Sequence, residues 1–119
     1  MEMNFGDLLK GAEAEGKEKH VPYIETGKGR GDENVDVVRV VVGKDVPHPN
    51  TAEHHIAWIE LYGVKKDGGQ VIYLGRAAFG AGYTNPNVRF QVPVPEFKAF
   101  CALAYCNVHG VWQNCIEME

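Results

Sequence analysis

Val35-Asp36-Val37-Val38-Arg39-Val40-Val41-Val42 is dominated by β-branched side chains and carries no helical period. Branching at Cβ restricts χ1 and suits a pleated strand better than a helix. Residues 56–62, 71–79, 88–92, 100–105 and 111–116 read the same way. Turn-forming clusters separate them: Lys66-Asp67-Gly68-Gly69, Asn85-Pro86-Asn87 and residues 93–96. Short strands at this spacing predict an all-β chain, an antiparallel sandwich or barrel. Upstream, residues 3–14 predict a short helix with Phe5, Leu8, Leu9 and Ala12 on one side. Residues 26–34 are glycine-rich and charged and predict an exposed loop. No strand-loop-helix pattern surrounds that loop, so it does not read as a phosphate cradle. The chain shows no internal repeat and no low-complexity segment.

A chain of 119 residues with 45% apolar content supports one core rather than two, so residues 1–119 are expected to form a single domain. The net charge of −4 gives no nucleic-acid-binding footprint. No apolar run is long enough to span a bilayer, and no membrane partner is expected. Met1 to Lys19 is polar and lacks a signal peptide's apolar centre, so a cytoplasmic location is expected. Cysteines stand at 101, 106 and 115, with no Cys-x-x-Cys pair that would signal a zinc ribbon. A reducing compartment favours free thiols at Cys101 and Cys115 over a disulfide between them.

The chemistry-bearing residues are Cys106 and four of the five histidines: His20, His48, His54 or His55, and His109. A soft thiolate mixed with imidazole nitrogen suits iron, copper or zinc far better than magnesium or calcium. Cys106 and His109 are three apart, a spacing that lets both converge on one ion from a tight turn. Pro47, Pro49 and Asn50 force a loop around His48. Pro22 biases Val21, next to His20, toward extended backbone. Each piece is weak alone: a lone Cys-x-x-His arises by chance more often than it binds metal. Read as a strand, 54–62 puts His54 with Ile56, Trp58, Glu60 and Tyr62, and His55 with Ala57, Ile59 and Leu61. That periodicity does not choose between the two histidines.

Three segments together are specific. Glu18-Lys19-His20-Val21-Pro22, then Pro47-His48-Pro49-Asn50-Thr51-Ala52-Glu53-His54-His55-Ile56, then Tyr105-Cys106-Asn107-Val108-His109-Gly110-Val111-Trp112, resemble the superoxide reductases. The likeness is to the one-domain neelaredoxin type, and it runs in order from about Glu18 to the C-terminus. It implies an immunoglobulin-like β-sandwich, with residues 1–17 as an N-terminal extension. It implies one mononuclear iron, cycling between Fe2+ and Fe3+, held by His20, His48, His54, Cys106 and His109. In that pattern the imidazoles lie in a plane and the thiolate is axial; the family pattern takes the first histidine of the pair, which makes His55 a neighbour. Lys19 then becomes a cation that attracts superoxide, against its bland reading as a solvated lysine. Glu18 resembles a glutamate that occupies the sixth position of ferric iron. A rubredoxin-like electron donor and a homotetramer are implied by resemblance alone. Trp112 could cover the site, but a strand tryptophan is more often simply core.

Two other readings use the same residues. A cupredoxin-like electron carrier needs two histidines, a cysteine and an axial methionine. Met118 stands nine residues past His109, too far for the short loop such sites favour. A structural zinc site is four-coordinate and would leave one of the five candidate donors idle.

Overall fold

The computed structural model describes residues 2–17, 19–29 and 35–119. Among these, seven strands form: β1 (Tyr23–Lys28), β2 (Asp36–Val41), β3 (Ile56–Lys65), β4 (Val71–Ala78), β5 (Asn87–Gln91), β6 (Phe97–Cys106) and β7 (Gly110–Glu117). A three-stranded sheet runs β1-β2-β5 and a four-stranded sheet runs β4-β3-β6-β7. Every strand pairing within them is antiparallel. The inner faces meet in one core, with Ile24, Val38, Val40 and Val42 from one side and Ile59, Leu61, Phe100 and Ala102 from the other. The expected all-β sandwich is what the chain forms. Among the described residues no helix is long and apolar enough to cross a membrane.

Strand β1 is a departure from the expectation. Residues 26–28 belong to it rather than to a loop, paired with β2 from Tyr23↔Val41 to Lys28↔Asp36. Glycine and lysine at its end resemble loop composition, but the Val37 and Asp36 backbones supply the ladder. Gly29 follows the strand and donates its N–H to the Val35 carbonyl at 2.8 Å, and residues 30–34 of the expected loop lie outside the described residues. The N-terminal helix is also shorter than expected. One turn covers Phe5–Leu8, Leu9 is extended, and a 3-10 turn covers Ala12–Ala14. Gly11 interrupts the helical pattern, and Lys10 instead pairs with Trp112 as a parallel bridge beside β7.

Cys101 and Cys115 form a disulfide, which corrects the expectation of free thiols. The cause is hairpin register. Cys106 pairs with Gly110 across the β6–β7 turn, and the two cysteines lie equally far back along the two strands, directly opposite one another. Spacing alone shows a separation of 14 residues, and only the position of the turn makes them partners.

On the outer face of the small sheet, Arg39 Nη1 donates to Glu25 Oε1 at 2.7 Å. Hydrogen bonding to Arg39 holds the Glu25 carboxyl below its ordinary 4.5, against the opposing effect of burial. A carboxyl depressed in the folded state stabilises the fold above its unfolded pKa. That contribution is lost as pH falls through the folded value. Thermal unfolding of Glu25→Gln, followed from about pH 5 to about pH 3, should therefore show a shallower loss of Tm than the parent. The pair is partly exposed, so the effect is small.

Candidate metal centre

Inward alternation along β6 runs Phe100, Ala102, Ala104, Cys106. Cys106 is the last inward residue of the strand and is fully buried. Asn107, Val108 and His109 then form a three-residue turn, closed by Gly110 at φ +87°. A positive-φ glycine at that place is what such hairpins require. The turn folds His109 back onto its neighbour, and the His109 backbone N–H points at Cys106 Sγ, 3.4 Å away. A peptide N–H aimed at sulfur tempers the thiolate's electron donation.

The other three histidines arrive from loops. His20 precedes β1 and is buried. Its backbone N–H and that of Val21 both donate to Glu15 Oε2, each at 2.8 Å. His48 follows the turn at Gly43, whose φ is +80°. His48 Nδ1 lies 2.7 Å from the Pro49 carbonyl, which can only accept. The proton therefore sits on Nδ1, and the Nε2 lone pair is presented inward, toward Cys106 Sγ at 3.7 Å. His54 closes a turn with Thr51, whose Oγ1 accepts the His54 N–H at 3.0 Å.

These four imidazoles form a closed quartet. Ring centroids stand 4.7 Å apart for His20–His48, 4.9 Å for His48–His54, 5.2 Å for His54–His109 and 4.9 Å for His109–His20. Every adjacent pair meets edge to face. His20 Nε2 and His109 Nδ1 are 3.2 Å apart. Ligands bound at right angles about 2.1 Å from a common centre stand about 3 Å apart. Cys106 Sγ is 3.7 Å from His48 Nε2 and 3.8 Å from His109 Nδ1, two corners that are not adjacent in the quartet. Ligand atoms of His20, His54, Cys106 and His109 all fall within 4.8 Å of one another. His48 falls outside that tightest group, yet its contacts with Cys106, His20 and His54 place it at the same centre. Nitrogen and sulfur donors so arranged fit a borderline transition ion.

His55 stands apart. Its ring contacts the Thr51 carbonyl at 3.1 Å, and its backbone N–H donates to Asn107 Oδ1 at 2.9 Å. Both histidines precede β3, so strand parity does not apply to them. Parity also fails further along. A bulge between Ile56 and Trp58 shifts the register, and Ile56 faces the core together with Ile59 and Leu61.

Several residues around the centre escaped sequence reasoning. Asn107 Nδ2 donates to the Glu53 carbonyl at 3.0 Å while its Oδ1 accepts from His55, clamping the His54 loop to the Cys106 turn. Glu15 fixes the His20 backbone. An asparagine or glutamate beside a ligand is a visible sign, but its partner is set only by tertiary packing. Trp112 is buried and stacks on His20, with centroids 4.5 Å apart and planes 12° apart. Its Nε1 donates to the His109 carbonyl at 3.2 Å. It therefore covers the centre, in contrast to the core role that its residue type favours. A cleft of about 380 Å³ reaches His20, His109 and Trp112, and Lys10 and Lys17 line it. Lys19 borders a different depression with Glu15, Val21, Tyr23 and Lys44, and its Nζ donates to the Gly16 carbonyl at 3.2 Å. Glu18 lies outside the described residues.

The Desulfoferrodoxin family profile matches residues 12–115. The chain belongs to the desulfoferrodoxin family. This family member is 46% identical over 116 residues to the superoxide reductase of Pyrococcus abyssi, covering 95% of this chain and 97% of that one. It is 36% identical over 110 residues to the neelaredoxin of Megalodesulfovibrio gigas, covering 82% and 84% of the two chains. Its fold superposes on the solved superoxide reductase (neelaredoxin) of Ignicoccus hospitalis with a TM-score of 0.78 at 38% identity, covering 98% of both chains. The matches span 97%, 84% and 98% of these three relatives' own lengths.

Proposed function

We propose that this chain is a superoxide reductase whose iron is held by His20, His48, His54, His109 and Cys106. The observation that carries the reading is the closed imidazole quartet with one buried thiol against it. A cupredoxin-like site would leave two of these imidazoles idle, and a four-coordinate structural zinc would leave one donor idle. The chemistry an iron supplies at such a centre is one-electron transfer: ferrous iron, superoxide and two protons give ferric iron and hydrogen peroxide. One iron per chain and a single functional unit over residues 1–119 belong to the same proposal.

The protein's own contribution is donor set, shielding and charge. The Cys106 thiolate donates electron density, tempered by the His109 N–H. Trp112 stacks on one face of His20 and forms a wall of the cleft that reaches it. Lys19, beside His20, supplies positive charge that attracts the anionic substrate, and Glu18, on the strength of the resemblance alone, would serve ferric iron as a further ligand. The electron donor is a small redox protein of the rubredoxin kind. The protein works in the cytoplasm as a homo-oligomer, a tetramer on the precedent of the resemblance.

The direct test gives superoxide pulses to the ferrous protein and counts products. One peroxide per superoxide, with no dioxygen released by the protein, is the expected result. Dioxygen released alongside peroxide would mean dismutation and would overturn the reading. Lys19→Ala should slow the superoxide reaction and flatten its salt dependence, since long-range attraction is screened by ions. A rate and slope equal to the parent's would remove Lys19 from the mechanism.

A further inference from the structure

The N-terminal segment is not needed to complete either sheet, yet it is pinned to β7. Lys10 N–H donates to the Val111 carbonyl at 3.3 Å, and Gln113 N–H donates back to the Lys10 carbonyl at 2.8 Å. Gln113 Nε2 reaches the Gly6 and Leu9 carbonyls at 3.2 and 3.3 Å. The outcome of this anchoring is the place of one ammonium group. Lys10 Nζ donates to the His109 carbonyl at 3.2 Å and lies 5.5 Å from the Trp112 ring centroid. That carbonyl also accepts from Trp112 Nε1. The side chain is exposed along the cleft that ends on His20, His109 and Trp112.

We propose that Lys10 is an anion-guiding residue of the cleft that ends on His20 and His109, a second cation that acts independently of Lys19. The inference deepens the superoxide reductase reading and rests on it. A solvated lysine elsewhere on a surface of net charge −4 would add little to local potential. Here the charge is held at the cleft wall by a fixed acceptor, so its field acts at the mouth. Lys17 lines the same cleft and adds to that field. Lys19 faces the neighbouring depression, and its ammonium is turned toward Gly16 and Glu15. A small monovalent anion such as superoxide or azide is the ligand class that such a cleft would favour.

Lys10→Met keeps the apolar stem and the backbone bridge while removing the charge; Lys10→Arg keeps the charge. One charge a few ångströms away in nearly aqueous surroundings changes anion affinity by about threefold. Azide binding to the ferric protein, read by absorption at low ionic strength, should weaken about threefold in Lys10→Met. The rate with superoxide should fall by a similar factor with a flatter salt dependence. Lys10→Arg should restore all three, and the Lys10→Met loss should persist in a Lys19→Ala background. Azide affinity and salt slope unchanged in Lys10→Met, in protein with parental Tm, would overturn the proposal. Failure of arginine to restore them would also overturn it, by reducing Lys10 to a packing residue. A parent protein that binds azide with this dependence on Lys10 but does not reduce superoxide would instead sink the functional reading and leave the anion site standing.

Discussion

Cys106→Ser should abolish the sulfur-to-iron absorption band of the ferric protein and remove superoxide reduction with it. Cys106 is fully buried at the inward end of β6, and its sulfur stands against two imidazole nitrogens. Serine has nearly the same shape but offers a harder oxygen that is not ionised near neutral pH, so the soft anionic donor is lost. The substitution also buries a hydroxyl beside Ala104 and Ile56, at a cost of about 1–3 kcal/mol in stability if it finds no partner. His55→Ala is the matched control. It removes an imidazole next to His54 but keeps the backbone N–H that Asn107 holds. Band and activity should survive in His55→Ala. A band that survives Cys106→Ser would show that the sulfur is not a ligand.

Gly43→Ala should lower stability by about 3 kcal/mol or more and loosen the metal together with the fold. The residue sits at φ +80°, where an L side chain costs about 1–2 kcal/mol. An added Cβ would also lie 2.6 Å from the His48 backbone nitrogen and 3.0 Å from the Val46 carbonyl oxygen. Those are backbone atoms, so relief requires moving the loop that presents His48. Overpacking of this kind adds about 1–3 kcal/mol. Gly27→Ala makes the comparison fair: nothing lies within 4 Å of its Cβ position in β1, and a neutral or slightly positive shift is expected. Thermal unfolding and iron retention of the two variants check this together. Equal shifts in both would show that the His48 loop tolerates the change.

The runs at 35–42, 56–62 and 71–79 announced β2, β3 and β4 because branched and aromatic residues there lie between turn signals. β1 escaped notice because its last residues, Gly27 and Lys28, look like the charged loop that follows. Its ladder comes from β2, which local composition does not reveal. The five candidate donors were legible as a set only through three long ordered segments, and the structure brings all five to one place. The choice of His54 over His55 was not legible from period two. Both residues sit in a turn before the strand, and the bulge near Ala57 resets the alternation that the period assumes. The Cys101–Cys115 bridge depended on where the hairpin turned. Asn107, Glu15 and Lys10 have partners 52, 5 and 99 residues away, and contacts of that kind are set by packing, not by spacing.

The most direct measurement is X-ray absorption at the iron edge of the iron-loaded protein, with metal content determined on the same sample. One iron per chain is expected, with a single sulfur scatterer in the first shell and multiple scattering from four imidazoles. A first shell without sulfur, fewer than four imidazoles, or a preparation in which zinc displaces iron at full occupancy would contradict the proposed centre.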